Sequence, residues 1–334
     1  MTNYDVYGIG NALLDLEYEI TPSFLHQNNI DKGMMTLVSE ERQQQLLNVL
    51  GKERLLKVAP GGSVLNSMVT LRQFGAKAYC SYKVASDENG ERYFAAMQKA
   101  GLHSNFDHRP RSQGVTGTCL VMITADADRT MNTHLGITET LSVEQLNHDA
   151  LRQSKYLYME GYPVTSSSAI EALFMAKDIA EKAGVKTALT LSDPMIVKYF
   201  KAQFQQLLAR GVDLLFCNEE EALEFTGTHL LDGAKDALQS VAKQFVITRG
   251  AKGSVIFDGQ RFIELPCAPA KPISTLGAGD TYAGAFLYAI THGYSMKQAG
   301  QLAAIAAAAV VSQYGPRLSQ AQTDEILAAF KKSL

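Results

Sequence analysis

The chain has 334 residues, a formal net charge of −3 and 19% charged positions, so it offers no basic face and is expected to engage neither nucleic acid nor anionic lipid. Its apolar run 302–311 falls well short of the roughly 20 residues that span a bilayer. The opening Met-Thr-Asn-Tyr-Asp has neither the basic nor the apolar part of a secretory leader, which points to a cytoplasmic protein without membrane attachment. Scattered cysteines (80, 119, 217, 267) and histidines without a close pair provide neither a disulfide framework nor a zinc ligand set.

Taken in chain order, short apolar stretches at 6–10, 79–84, 156–159, 187–191, 214–217 and 245–248 read as strands. Helical spacing of apolar residues marks 64–74, 88–99, 168–183 and 233–243 between them. Strands alternating with helices imply parallel βαβ units with both sheet faces covered, an α/β fold. Two regions break the rhythm. Residues 16–38 and 105–136 are richer in Thr, His, Asn and Asp and read as hairpin material projecting from the main sheet. Late in the chain, Ala283, Phe286, Leu287 and Ile290 fall at i, i+3, i+4 and i+7, a helix that ends near Gly293 and starts at about Gly277 to Asp280.

That helix start is the most informative feature. The first amides of a helix lack intrahelical partners and carry about half a positive charge, so Gly277-Ala278-Gly279 can close on a phosphate. Asp280 there either takes the proton of an attacking hydroxyl or serves as an ordinary cap. Far upstream, Pro60-Gly61-Gly62-Ser63-Val64-Leu65-Asn66 places paired glycines, which let backbone approach a ligand, before a helix that Ser63 can cap. Val64, Met68 and Leu71 form its buried stripe and leave Asn66 to face the glycines.

Ligand sites of open α/β sheets lie beyond the carboxyl ends of the strands. Gly10-Asn11, Ser192-Asp193-Pro194, Asn218 and Thr248-Arg249-Gly250 all follow predicted strands; each alone is turn chemistry, but together they favour one cleft. In Glu219-Glu220-Glu221 the first two complement a helix dipole, whereas Glu221 suits a water-mediated magnesium contact.

Gly61-Gly62-Ser63-Val64-Leu65-Asn66 ending at Phe74-Gly75, with Gly277-Ala278-Gly279-Asp280 far downstream, resembles in order and separation the two signatures of the ribokinase (PfkB) carbohydrate kinase family. Gly8 to Asp15 resembles the N-terminal strand and turn of the adenosine kinase branch. Thr116-Gly117-Thr118-Cys119 followed by Arg129 is similar to that branch's lid strand and phosphate-facing arginine. Asn218-Glu219-Glu220-Glu221 is similar to the family's Asn-x-x-Glu magnesium region, and Thr248 to Gly253 to its nucleotide-binding Thr-x-Gly-x-x-Gly. One departure concerns Ser274, where many members have an Asp that helps to hold a monovalent cation, so potassium activation is left open.

The resemblance implies a ribokinase-like fold, a doubly wound, mainly parallel sheet flanked by helices, as a single domain over 1–334 with lid segments 16–38 and 105–136. It also implies ATP and Mg²⁺ as cofactors and a small-molecule nucleoside or sugar as partner. Asn11, Asp15, Gly61, Gly62 and Asn66 would hold the acceptor, and Gly277, Ala278 and Gly279 would form the anion hole. Asp280 would be the base, and Arg129 either a lid arginine or a solvated one. ATP would lie along Asn218, Thr248, Gly250 and Gly253, near the alanine-rich stretch 302–311, with Glu221 toward the metal. Met34, Met35, Leu37, Leu120 and Met122 suit a ligand face, the lid core or a dimer contact, so a monomer and a lid-mediated homodimer both stand. Adenosine is the expected acceptor; a free pentose or hexose, inosine or guanosine is the alternative. A dehydrogenase read from Gly8-Ile9-Gly10 lacks its third glycine at Leu13, and a non-catalytic nucleotide binder would have little use for Asp280, Asn218 and Glu221 together.

Overall fold

The computed structural model describes residues 3–126 and 128–334. Strand β1 (Tyr4–Ile9) leads to β2 (Leu13–Glu19), helix α1 (Pro22–Gln27), β3 (Met35–Leu37), α2 (Glu40–Leu50), β4 (Leu55–Pro60) and α3 (Ser63–Gln73). The middle of the chain supplies β5 (Ala78–Ser81), α4 (Glu88–Lys99), β6 (His103–Ser104), β7 (Thr116–Ile123), β8 (Arg129–Gly136), α5 (His148–Arg152) and β9 (Ser154–Met159). Then come α6 (Ser167–Lys182), β10 (Lys186–Thr190), α7 (Pro194–Tyr199), α8 (Lys201–Leu207), β11 (Val212–Asn218), α9 (Glu219–Thr226), α10 (Leu231–Leu238) and β12 (Ala242–Thr248). Finally β13 (Ser254–Phe257) and β14 (Phe262–Leu265) precede helices α11 (Ala278–Thr291), α12 (Met296–Val311) and α13 (Gln320–Lys332).

Nine strands form the main sheet in the order β14-β13-β12-β11-β10-β9-β1-β5-β6. Pairing is parallel from β6 to β12 and antiparallel only at the β12-β13-β14 edge. Strand order reverses beside β1, which has β5 on one side and β9 on the other, and such a switch point opens a crevice at the strand ends. Successive residues feed opposite faces: Val6 and Leu214 join the core beneath α3, α11 and α12, while Tyr7 and Leu215 join the core beneath α5, α6 and α8.

A second sheet has the order β3-β8-β7-β2-β4. Its outer face is covered by the chain's own α1 and α2, with Tyr18, Leu120 and Met122 packed against Phe24, Leu25, Leu46 and Leu50. Leu120 and Met122 are therefore core of this sheet and not part of a ligand face. On the inner face Asp15, Cys119 and Thr133 lie opposite one another across three strands.

The structure departs from the sequence reading in three places. Residues 16–38 form no hairpin: β2 pairs with β4 and β7, and β3 pairs in parallel with β8. Between them Thr21 caps α1 by accepting the Phe24 N–H at 3.4 Å, with Pro22 in the first turn. Only the later part of 105–136 is a strand pair, β7 with β8. The helix expected over 233–243 stops at Leu238, because β12 already begins at Ala242.

Candidate active site

A cavity of about 690 Å³ lies between the carboxyl ends of the main-sheet strands and the inner face of the second sheet. Asn11 beyond β1, Glu160 beyond β9, Ser192 beyond β10, Asn218 ending β11 and Thr248 ending β12 all line it. The start of α11 closes one side, and Val121 and Ile123 of the second sheet pack on Leu276 beside it.

Gly277 caps α11 in the left-handed region, at φ 77°. A side chain there would drive its Cβ to 2.6 Å from Pro316 Cα, so only glycine fits. The Thr281 N–H is the first to close on a helical acceptor, the Gly277 carbonyl, at 2.8 Å. Ala278 donates to the Thr275 carbonyl at 3.3 Å, while the amides of Gly277, Gly279 and Asp280 have no acceptor among the described residues and are available to an anion.

Asp280 does not cap its own helix. Its Oδ1 accepts the Ser63 hydroxyl at 2.7 Å and its Oδ2 accepts the Asn66 Nδ2 at 2.9 Å, so α3 holds both oxygens. Burial pushes its carboxyl above the usual range, opposed by the Ser63 and Asn66 hydrogen bonds and by Arg129 and Arg317. Ser63 is thus no cap either: Gly62 is the cap of α3, without a side-chain cap bond among the described residues, and the Ser63 hydroxyl is committed to Asp280.

The expected acceptor residues meet on one wall. A Cβ on Gly61 would collide with the Asp15 carboxylate, and one on Gly62, at φ 90°, with the Asn11 carbonyl. Asp15 is buried and its pKa is pushed up to about 7, by desolvation first and by Glu17 next, with Arg317 opposing. Asn11, Asp15, Gly62 and Asn66 line the cavity, whereas Gly61 stands behind Asp15. Beside Asp15, on the same inner face of the second sheet, Leu13, Met35, Leu37, Met131 and Leu135 form an apolar wall. Arg129 opens β8 and its Nη1 donates to the Thr275 carbonyl at 3.0 Å, which joins the second sheet to the α11 start; it is not a solvated loop arginine.

The other half of the cavity carries the expected nucleotide residues. Asn218 and Glu221 form a capping box at the start of α9, where Oε2 of Glu221 accepts the Asn218 N–H at 3.0 Å and Oε1 accepts Nδ2 at 2.7 Å. Burial raises the Glu221 carboxyl to about 8. Thr248 ends β12, and Gly250 (φ 54°) and Gly253 (φ 85°) shape the turn that follows. Ala304, Ala307 and Ala308 of α12 line this half, and Ala303 and Ala306 pack in the core. Among the described residues no group of three or more His, Cys, Asp or Glu could hold a metal; Glu221 and Asp193 are carboxylates that line this half of the cavity. Ser274 is buried and its Oγ accepts the Leu276 N–H at 3.3 Å.

Sequence reasoning missed Glu160 and Arg317. Glu160 is wholly buried and accepts the Asn11 N–H at 3.3 Å and the Val64 N–H at 2.9 Å, so it ties β9 to both acceptor loops. Its place just beyond a strand was a usable signal. Arg317, whose Nε donates to Asn66 Oδ1 at 2.8 Å, follows a Gly315-Pro316 turn that signals nothing but a turn.

Residues 30–323 match the pattern of the pfkB family carbohydrate kinases. The chain belongs to the PfkB carbohydrate kinase family. Its ribokinase-like α/β fold is shared with the adenosine kinase from Sinorhizobium meliloti, at a TM-score of 0.91 and 33% identity over 99% of each chain. A probable sugar kinase from Rhizobium etli superposes at 0.93 with 31% identity, over 100% of this chain and 99% of that one. Adenosine kinase of Schizophyllum commune is 27% identical over 95% of this chain and 97% of its own length. This PfkB protein is a phosphotransferase with an alcohol acceptor, a nucleoside or sugar kinase.

Proposed function

We propose that this PfkB kinase transfers the γ-phosphoryl group of ATP directly to the primary 5′-hydroxyl of a ribonucleoside, with adenosine as first choice. The observation that carries this is the two-sided acceptor half of the cavity. Asn11, Asp15 and Asn66 offer donors and acceptors to a ribose diol, and the Leu13, Met35, Leu37, Met131 and Leu135 wall suits a flat base better than the hydroxyls of a free sugar. Similarity to the adenosine kinases supports the same choice.

Asp280 takes the proton of the attacking hydroxyl, oriented by Ser63 and Asn66. The amides of Gly277, Gly279 and Asp280, with Ala278 holding the turn, neutralise the transferring phosphoryl group, and no covalent intermediate is needed. Arg129 adds a positive charge from the second sheet. ATP lies along Asn218, Thr248, Gly250 and Gly253 with its base against the α12 alanines. Glu221, through water, would hold the Mg²⁺ that accompanies ATP and screens its phosphate charge. We read the chain as one cytoplasmic kinase domain whose second sheet acts as the lid, excluding water that would otherwise accept the phosphoryl group.

ADP formation measured with adenosine, inosine, guanosine, ribose and fructose tests the acceptor. Adenosine should give the highest kcat/KM; a simple sugar ahead of it by about tenfold, some 1.4 kcal/mol of transition-state binding, would replace this reading with that of a sugar kinase, which the Rhizobium relative favours.

A further inference from the structure

An arginine side chain donates from every nitrogen and accepts nowhere, so an amide that meets it must turn its oxygen toward it. Arg317 meets Asn66 in this way, its Nε 2.8 Å from Oδ1. The far end of the amide is then fixed as a donor, and that end, Nδ2, lies 2.9 Å from Oδ2 of Asp280. A free amide could turn over and present its oxygen to the carboxylate, which repels it. Arg317 removes that option.

The loop bearing Arg317 is itself fixed. Gln313 Nε2 donates to the Arg317 carbonyl and Gln73 Nε2 of α3 to the Leu318 carbonyl, each at 2.8 Å. Its Pro316 packs beneath Gly277, the cap of α11. One short loop therefore touches both helix starts that build the site. Nη2 of Arg317 is enclosed with no hydrogen-bond partner among the described residues, a poor arrangement for stability alone.

We infer that Arg317 is a positioning residue for phosphoryl transfer: by fixing the Asn66 amide it holds the Asp280 carboxylate in the orientation that receives the acceptor's proton. The inference rests on Asp280 being the base, as proposed above, and holds for any alcohol acceptor. Asp280 is faced by Asp15 from β2, by Tyr158 and Glu160 at the end of β9, by Arg129 from β8 and by Arg317. The two arginines are the cations among these, and losing one leaves the carboxylate harder to ionise.

The test is the pH dependence of kcat in the full-length enzyme, with whichever acceptor the wild type uses best. Arg317→Met should lower kcat by about tenfold to a hundredfold, leave KM for ATP within about twofold, and move the acid limb upward by about one pH unit. Arg317→Lys should restore the limb but only part of kcat, since an ammonium lacks the fixed fork. In an Asn66→Ala background Arg317→Met should add less than about a threefold loss, because the two act in series. Wild-type kcat with an unmoved limb, or a full additional loss in that background, overturns the proposal. If Arg317→Met gives no folded protein, Arg317→Lys with and without Asn66→Ala supplies the same cycle, read by the same two outcomes. An enzyme that prefers a sugar, or an active Asp280→Asn variant, would instead overturn the acceptor or the base assignment, each separately from this one.

Discussion

A carboxylate at a helix start normally serves as a cap, yet here Gly277 caps and both Asp280 oxygens accept from α3. Asp280→Asn keeps the volume and removes the charge, so it should fold, bind ATP and lose about 10²–10⁴ in kcat. Ser63→Ala removes one of two donors, and should lose less and shift the acid limb of kcat upward, since that hydrogen bond favours the ionised form. Steady-state kinetics against calorimetric nucleotide binding separates the effects: near-normal turnover in Asp280→Asn would strip it of the role, and equal losses of binding and turnover would point to folding.

At the scale of elements, what was legible follows from where each element's information lies. Helices α3, α4, α6 and α11 carry their apolar stripe and their turn residues within a few turns, and β1, β5, β9, β10, β11 and β12 are largely apolar runs between them, whereas β6 and the β13-β14 edge are too short to announce themselves. The second sheet is different. β2 and β4 are neighbours only through pairing across some forty positions of chain, and Leu55 to Pro60 alternates too briefly to announce a strand. Glu160 and Arg317 likewise act through contacts with Asn11, Val64 and Asn66 that no local pattern encodes. The glycines show the same contrast. Gly62 has φ 90° and its would-be Cβ meets backbone, whereas Gly250 has φ 54° and nothing within 4 Å. Gly62→Ala should therefore cost about 1–3 kcal/mol of stability and raise KM for the acceptor well above that for ATP, because α3 and Asn11 must separate. Gly250→Asn should cost little, as Asn tolerates the left-handed region. Chemical denaturation and acceptor kinetics check both; a Gly62→Ala enzyme with wild-type midpoint and KM would mean that the turn relaxes freely.

Across the whole molecule, the cleft collects more carboxylates than it neutralises. Asp15, Glu160 and Glu221 have pKa values pushed up to about 7, 8 and 8, in each case chiefly by burial, and Asp193 and Asp280 are raised by the same cause. Arg129 and Arg317 pull against this without cancelling it. A carboxyl whose pKa is higher folded than unfolded binds more protons in the folded state between the two values, so stability there falls as pH rises. The contribution is complete below the unfolded pKa, near 4, and is lost as pH climbs through about 7 to 8. Asp5, Asp87 and Asp213 shift the other way, and their stabilisation is lost only as pH falls below the ordinary carboxylate range, outside that window. The ligand-free protein should thus unfold at a temperature several degrees higher at pH 6 than at pH 8.5, measured by calorimetry in buffers of equal ionic strength. Glu160→Gln keeps an acceptor for one of the Asn11 and Val64 amides and removes one titrating group, so it should flatten the slope over that interval. A midpoint that is level or rises from pH 6 to pH 8.5 would mean that the cleft carboxylates ionise in the folded protein as readily as in water, and that their burial exerts no pull on the fold.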